Sequence, residues 1–483
     1  MVKALISRYK NMNKQLKVVF WFTAVGFLQK GISMITTPIF TRVLSTDDYG
    51  MFSVFSSYYS VLVIIATLYL HQGVINNAFV KTKNSNEKVV SAFQSLSLVI
   101  SSSFFILALI FREELGKLMG IPSIVVVFIF LGYMFLEPYH LWVIYKRYQF
   151  DYVKPVIVTV IVSIMTPLVS VIAILLAKDN QGIVRVMSYV IVNSMLPGLF
   201  FYLVNYKKDK TFYDKKLWKY AITFNVPLLV HYFSETLLNQ TDRIMINKIL
   251  GPTDAGIYSV AFAAAAIFTI FSSALNTAFI PWTYQKIKAK DYKQLAKISY
   301  LVLIGLAVIL SVMIMFAPEV VMILAGNKYT GAVYLIPTLS ASVFFGYMYQ
   351  IFSRIELYYE KKSYTVISTI VATVLNIILN AWWIPIWGYT AAGYSTLVSH
   401  IVFCLMHYIF YKKVNRESMD SVKVFDGKIL LGISVLILLL SFVMTLLYNF
   451  FILRIIIIGV LIIIAILLRK KIKEVYVILR AKK

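Results

Sequence analysis

Lys30 lies twelve residues inside an apolar run at about 18–40 and is flanked by Gln29 and Gly31. A charge placed in hydrocarbon costs about 2.5–3.5 kcal/mol on insertion scales unless it faces a cavity or a partner, so an ammonium at that depth is equipped to hold an anion. Glu235 stands 206 residues after Gln29, with His231 one helical turn before it on the same face. That carboxylate and imidazole are candidates either to neutralise Lys30 in an empty site or to bind H+ or Na+; a purely structural Lys30 to Glu235 bridge is the alternative. In another apolar run Glu137 precedes Pro138, with His140 one turn below. Proline there frees a backbone carbonyl, which suits a gate, while the carboxylate equally suits pairing with Arg147 in the loop that follows. Arg147 and Arg354 close two apolar runs at equivalent ends, where both would meet an anionic headgroup or simply obey the charge bias of loops. Tyr347 and Gln350 offer a stacking face and an amide to a hydroxyl-rich ligand. Asn376 and Asn380, one turn apart, are expected chiefly to bond neighbouring helices.

Other chemistries find no support. No GxGxxG or GxxxxGK[ST] run occurs, so no nucleotide is indicated. The lone cysteine, Cys404, rules out an intramolecular disulfide and a CxxC site. His400 and His407 lie seven residues apart without an acidic third ligand beside them, so neither metal nor cofactor is expected. Segments between apolar runs stay under about 20 residues, too short for a soluble catalytic domain. The expectation is a protein that is not an enzyme.

The elements carrying these residues follow from composition. The chain has 483 residues, 60% hydrophobic and 14% charged, with a mean hydropathy of +0.79; soluble domains carry about 25% charged residues. Apolar runs of membrane-spanning length, the second of them at 49–79, predict an all-α integral membrane protein with fourteen transmembrane helices. The expected organisation is a basic cytoplasmic lead-in at 1–17, a six-helix bundle at 18–206, a linker at 207–216, a second six-helix bundle at 217–411, a linker at 412–427, helices 13 and 14 at 428–468, and a basic tail at 469–483. Of 47 Lys and Arg residues, 37 fall in alternate segments that include both termini. That asymmetry predicts a multi-pass protein of the cytoplasmic membrane with both ends inside. It also explains the formal charge of +26 without a nucleic-acid partner.

A duplication ties the halves together. Residues 41–57 (TRVLSTDDYGMFSVFSS) and 247–263 (NKILGPTDAGIYSVAFA) align without a gap, sharing Leu44/Leu250, Asp48/Asp254, Gly50/Gly256, Ser53/Ser259 and Val54/Val260. Both copies fall on one face of the membrane, so the bundles are expected to be parallel, pseudo-symmetric repeats with a cleft between them. Gly50 and Gly256 fit a tight reversal or close helix approach, and Asp48 and Asp254 are placed to cap helices. Residues 430–468 read as an almost featureless aliphatic hairpin facing lipid or a bound lipid tail.

At these residues the chain resembles a known family. Pro38 to Ser45 with Arg42, then Asp48-Tyr49-Gly50; Thr241-Asp242-Arg243-Ile244 followed by Gly256-Ile257-Tyr258-Ser259; and Asn376 with Asn380 to Gly388 are similar to three signatures of bacterial polysaccharide flippases in the multidrug/oligosaccharidyl-lipid/polysaccharide exporter superfamily. Ala391 departs from the family pattern, which often has glycine there. The resemblance implies a carrier that moves a polyprenyl-pyrophosphate-linked oligosaccharide outward by alternating access, with surface-polysaccharide (capsule, O-antigen, lipopolysaccharide) polymerase and chain-length proteins as partners. On that reading Lys30 would meet the pyrophosphate or an acidic sugar. A drug or cation antiporter of the superfamily, and a membrane glycosyl polymerase or acyltransferase, are the alternatives.

Overall fold

A computed structural model describes residues 13–82, 85–419 and 421–467. Most of the expected lead-in and the whole basic tail at 469–483 lie outside the described residues. Within them the chain is helical, with no β-strand. Eleven of the described helical segments are long and apolar enough to cross a membrane.

The chain divides after Gly256 into two compact units. The first contains α1 (Lys14–Val43), α2 (Thr46–Ala66), α3 (Val74–Lys81), α4 (Asn86–Ile110), α5 (Arg112–Met119), α6 (Ser123–Tyr148), α7 (Val153–Leu176), α8 (Gln181–Val190), α9 (Leu196–Lys208) and α10 (Lys215–Leu250). One π-helical turn, Ile191–Met195, joins α8 to α9. Helix α10 belongs with this unit although it follows the expected linker at 207–216, because it is bonded to it towards both ends. Trp218 Nε1 donates to the Ala92 carbonyl (2.9 Å), Asn225 donates to that of Leu68, and Asn247 Nδ2 to that of Gly120 (2.9 Å). Apolar packing of Val89, Phe93 and Leu96 on α4 with Leu141, Tyr145, Leu217 and Ala221 fills the same interface.

Helix α11 (Pro252–Lys288) leads into the second unit, followed by α12 (Tyr292–Met315), α13 (Ala317–Leu324), a 3-10 stretch (Asn327–Leu335), α14 (Ile336–Tyr358), α15 (Lys362–Trp387), α16 (Thr390–Ser418), α17 (Gly427–Leu446) and α18 (Phe451–Leu467). Helices α14, α15 and α16 form its centre, with α12 and α17 packed alongside α14. The Asn376–Asn380 pair bridges α15 and α16 as expected of helix glue. Asn380 Nδ2 donates to Asn376 Oδ1 (3.2 Å), Asn376 Nδ2 to Thr396 Oγ1 (3.4 Å), and the Ser395 hydroxyl to Asn380 Oδ1.

Three expectations need correction. The apolar run at 49–79 is not one helix: α2 stops at Ala66, Leu68 and Tyr69 turn through positive φ, and α3 starts at Val74. A 31-residue run exceeds the ~20 a crossing needs, and the polar His71-Gln72-Gly73 falls at the break. Ser45, not Asp48, caps α2, its hydroxyl accepting from the Asp48 amide (3.0 Å). The Asp48 carboxylate instead accepts from Ser45 Oγ (2.7 Å) and from the Gly182 amide at the start of α8 (3.0 Å). The C-terminal hairpin is not featureless, because Arg454 on α18 is 4% exposed. It donates twice to Glu319 of α13 (2.9 Å each) and once to the Met315 carbonyl (2.8 Å).

The duplicated turns pack on each other. A Cβ on Gly50 would lie 1.7 Å from the Pro252 carbonyl oxygen, and one on Gly256 only 2.6 Å from that of Thr46. Close approach, rather than tight reversal, is what these glycines provide. Beside them Thr253 Oγ1 donates to Asp47 Oδ1 (3.0 Å), a contact between positions 206 apart, which is the offset of the repeat.

Candidate functional sites

In the first unit the break between α2 and α3 places His71 against α6. Its Nδ1 donates to Glu137 Oε1 at 2.9 Å, and its ring stacks on that of His140 with centroids 4.7 Å apart. Glu137 is wholly buried, and His71 shows 12% of its side chain. Such a carboxylate is tolerable in a membrane protein only with a bonded partner. The Glu137 to Arg147 pairing therefore does not form; the break between α2 and α3 supplies a nearer partner in His71. Asn205 Nδ2 meanwhile donates to the Pro138 carbonyl (3.1 Å) and to Gln94 Oε1 (3.0 Å).

Arg147 is nonetheless close by. Its guanidinium sits over the Phe22 ring at 5.3 Å, and it lines a cavity of about 630 Å³ with His71, Gln72, Asn76 and Tyr148. The cavity thus joins a guanidinium, two amides, a phenol and an imidazole whose second face leads to Glu137. Those are the groups that hold phosphate oxygens and hydroxyls, together with a buried acid–base pair able to take up or release a proton. His71, Gln72 and Asn76 are not singled out by the sequence reading. The signal was present as polar residues in the middle of an overlong apolar run.

In the second unit Arg354, Tyr347 and Gln350 come together on α14. Arg354 is 4% exposed and donates through Nη2 to Asn276 Oδ1. The Asn276 amide donates to Gln350 Oε1, whose own amide donates to the Gly346 carbonyl (3.0 Å). Phe279 and Tyr347 lie under the guanidinium at 5.8 and 5.7 Å. Two residues beyond Arg354, buried Glu356 accepts from His407 Nδ1 (2.9 Å), and Tyr349 stacks on the imidazole at 5.0 Å. Among the described residues each unit therefore contains a buried glutamate bonded to a histidine, together with a cation–amide–aromatic group. The sequence reading found no acid near His407, because Glu356 is supplied by a different helix.

The remaining candidates are not gathered into these groups. Gln29 Nε2 donates to Ser163 Oγ on α7 (3.0 Å), and Gln29, Lys30 and Glu235 are all exposed. His231 is half-buried, its ring 5.9 Å from that of Tyr232. Asp242 is buried, and Arg243 Nη1 donates to Gln240 (2.8 Å) and Ser57 (3.4 Å). Pro38 stays inside α1, its carbonyl accepting from Arg42 Nη1 (2.9 Å). Arg185 is held between Phe40 and Phe52 at 3.8 and 3.7 Å, a cation–π stack that fixes α8 against α1 and α2.

The profile of the family described as "Polysaccharide biosynthesis protein" matches residues 15–287, and that described as "MatE" matches 227–382. A Haemophilus influenzae protein named "Lsg locus putative protein 1" is 23% identical over 357 residues, 72% of this chain and 86% of the relative. "Uncharacterized membrane protein MJ1068" of Methanocaldococcus jannaschii is 22% identical over 438 residues, 83% of this chain and 84% of the relative. Among solved structures, "Lipid II flippase MurJ, inward closed conformation" superimposes with a TM-score of 0.71 at 16% identity, covering 93% of this chain and 99% of that one. A multidrug resistance MATE family transporter of the MOP superfamily, in an inward-facing conformation, gives 0.56 at 14% identity, covering 82% and 96%. The fold is that of these membrane transporters.

Proposed function

From the premise that this chain belongs to the polysaccharide biosynthesis protein family of the multidrug/oligosaccharidyl-lipid/polysaccharide exporter superfamily, we propose that it is a flippase for a polyprenyl-pyrophosphate-linked oligosaccharide. It carries that lipid from the inner to the outer leaflet of the bacterial cytoplasmic membrane by alternating access, with fourteen crossings and both termini inside. The observation that carries the reading is the reach of the polysaccharide-biosynthesis profile over residues 15–287, which include the first unit from residue 15 to its end at Gly256.

Arg147 with its cavity, and Arg354 with Tyr347, Gln350 and Asn276, are the groups proposed to meet pyrophosphate and sugar. Lys30 and Gln29 add to them along the route. Glu137, paired with His71, is the proposed proton site, with Glu235 and His231 as a second. A carboxylate bonded to an imidazole favours H+ over Na+, since both groups change charge by gaining or losing one proton. The MatE match favours an ion-coupled antiporter as the second reading.

Deleting the gene and locating the lipid-linked repeat unit decides between them. The flippase reading requires accumulation on the inner leaflet. Normal outward transfer in the deleted cell removes it, and gain of sensitivity to toxic cations with normal lipid transfer supports the antiporter.

A further inference from the structure

Two adjoining hollows lie in the second unit where α16 ends and α17 begins. One is polar, about 590 Å³, and is lined by Lys412, Asn415, Arg416, Lys423, Asp426 and Lys428 among others. The other is an apolar groove of about 370 Å³ running along α14, α16 and α17, lined by Phe345, Met348, Cys404, Leu405, Leu431 and Val435 among others. Tyr408 and Gly427 line both, so the hollows meet at these two residues. Gly427 keeps the junction open: a Cβ there would lie 2.8 Å from the Tyr408 hydroxyl.

The polar hollow is built to receive an anion. The spacing of Tyr408, Lys412, Asn415 and Arg416 puts them on one face of α16. Lys412 Nζ lies over the Tyr408 ring at 4.8 Å. Asp426 is already occupied, accepting from Lys423 Nζ (2.7 Å) and from the Lys428 amide (2.9 Å) as the cap of α17. Its hydrogen bond to Lys423 and the Lys428 amide hold its carboxyl below the usual range. Lys412, Arg416 and Lys428 then remain as cations without an ion pair among the described residues, at the N-terminal end of a helix whose dipole also favours an anion. A hollow of this size takes a drug-sized group.

We propose that this pair of hollows is a binding site for an anionic phospholipid, with the phosphate among Lys412, Arg416 and Lys428 and an acyl chain in the groove. The site is separate from the groups assigned to transport and does not depend on that assignment.

The test uses the full-length chain, purified and delipidated in detergent, and phosphatidylglycerol carrying a photoreactive group in one acyl chain, with the matching phosphatidylcholine as control. Cross-links on Leu405, Leu431 or Val435 from phosphatidylglycerol, at least tenfold above phosphatidylcholine, are expected. The double variant K412Q/R416Q should lower phosphatidylglycerol binding by roughly thirtyfold, from about 1 kcal/mol per basic group. L431W, which narrows the groove without changing charge, should weaken both lipids; unaltered thermal unfolding of each variant establishes that it is folded. Equal labelling by the two lipids overturns the proposal, as does unchanged binding in both variants. Displacement of phosphatidylglycerol by equimolar polyprenyl pyrophosphate also overturns it, since the hollow then serves the transported lipid.

Discussion

Charged and polar side chains in this membrane protein are held in pairs drawn from separate helices, and their cost is set by what remains when one partner goes. Glu356 and His407 are both fully buried and bonded at 2.9 Å. Replacing Glu356 alone with leucine leaves the imidazole N–H without an acceptor and is expected to cost about 1–3 kcal/mol. Removing both partners in E356L/H407L should recover most of that loss. Thermal unfolding of the two variants in detergent checks this, and a double variant no more stable than the single removes the pairing argument. Sequence spacing exposed one side of each such pair: Glu137, His407 and Arg354 are visible as polar residues inside apolar runs. Their partners were not, because His71, Glu356 and Asn276 lie 66, 51 and 78 residues away and are joined only by tertiary packing. Arg454 in the hairpin was missed for a related reason. Close to span ends, a buried arginine and a solvated loop arginine have the same local sequence.

Helix starts outside the membrane are fixed by ordinary capping chemistry. Asp214 caps α10, accepting from the Lys216 and Leu217 amides at 2.9 and 3.0 Å, and binds Lys88 Nζ at 2.9 Å, which ties α10 to the start of α4. The Leu217 amide, and then Lys88, hold its carboxyl below the usual range. A depressed acid contributes stability that is fully present above the unfolded value of about 4 and is lost as pH falls through the lower folded value. D214A should therefore cost about 1 kcal/mol at neutral pH, and the difference from the native chain should vanish at a pH below the depressed folded value. Unfolding midpoints measured from pH 7 to pH 2.5 test the sign; a gap that widens on acidification contradicts it. Most helix positions were legible from apolar run length alone. The break between α2 and α3 was not, because a run of apolar residues does not reveal a reversal unless its excess length is weighed against bilayer thickness.

At the scale of the whole chain, the duplication read from 41–57 and 247–263 reappears as physical contact, with Gly50 seated against Pro252 and Gly256. G50A must push two helix starts apart, and overpacking of this kind costs about 1–3 kcal/mol. G305A offers the contrast, because no atom lies within 4 Å of a Cβ there and alanine is the better helix former by about 1 kcal/mol. Opposite shifts in unfolding temperature are expected, and a harmless G50A would show that the turns do not depend on that approach. The hydrogen bond next to it has a separate implication. Were the repeats identical, the residue facing Asp47 would be a second aspartate, and two carboxylates at 3 Å cannot both stay ionised. Thr253 meets that carboxylate with a hydroxyl instead. Such a lock needs a donor on one side and an acceptor on the other, so two indistinguishable half-length polypeptides associating freely could not form it; joining them in one gene is what permits the mismatch.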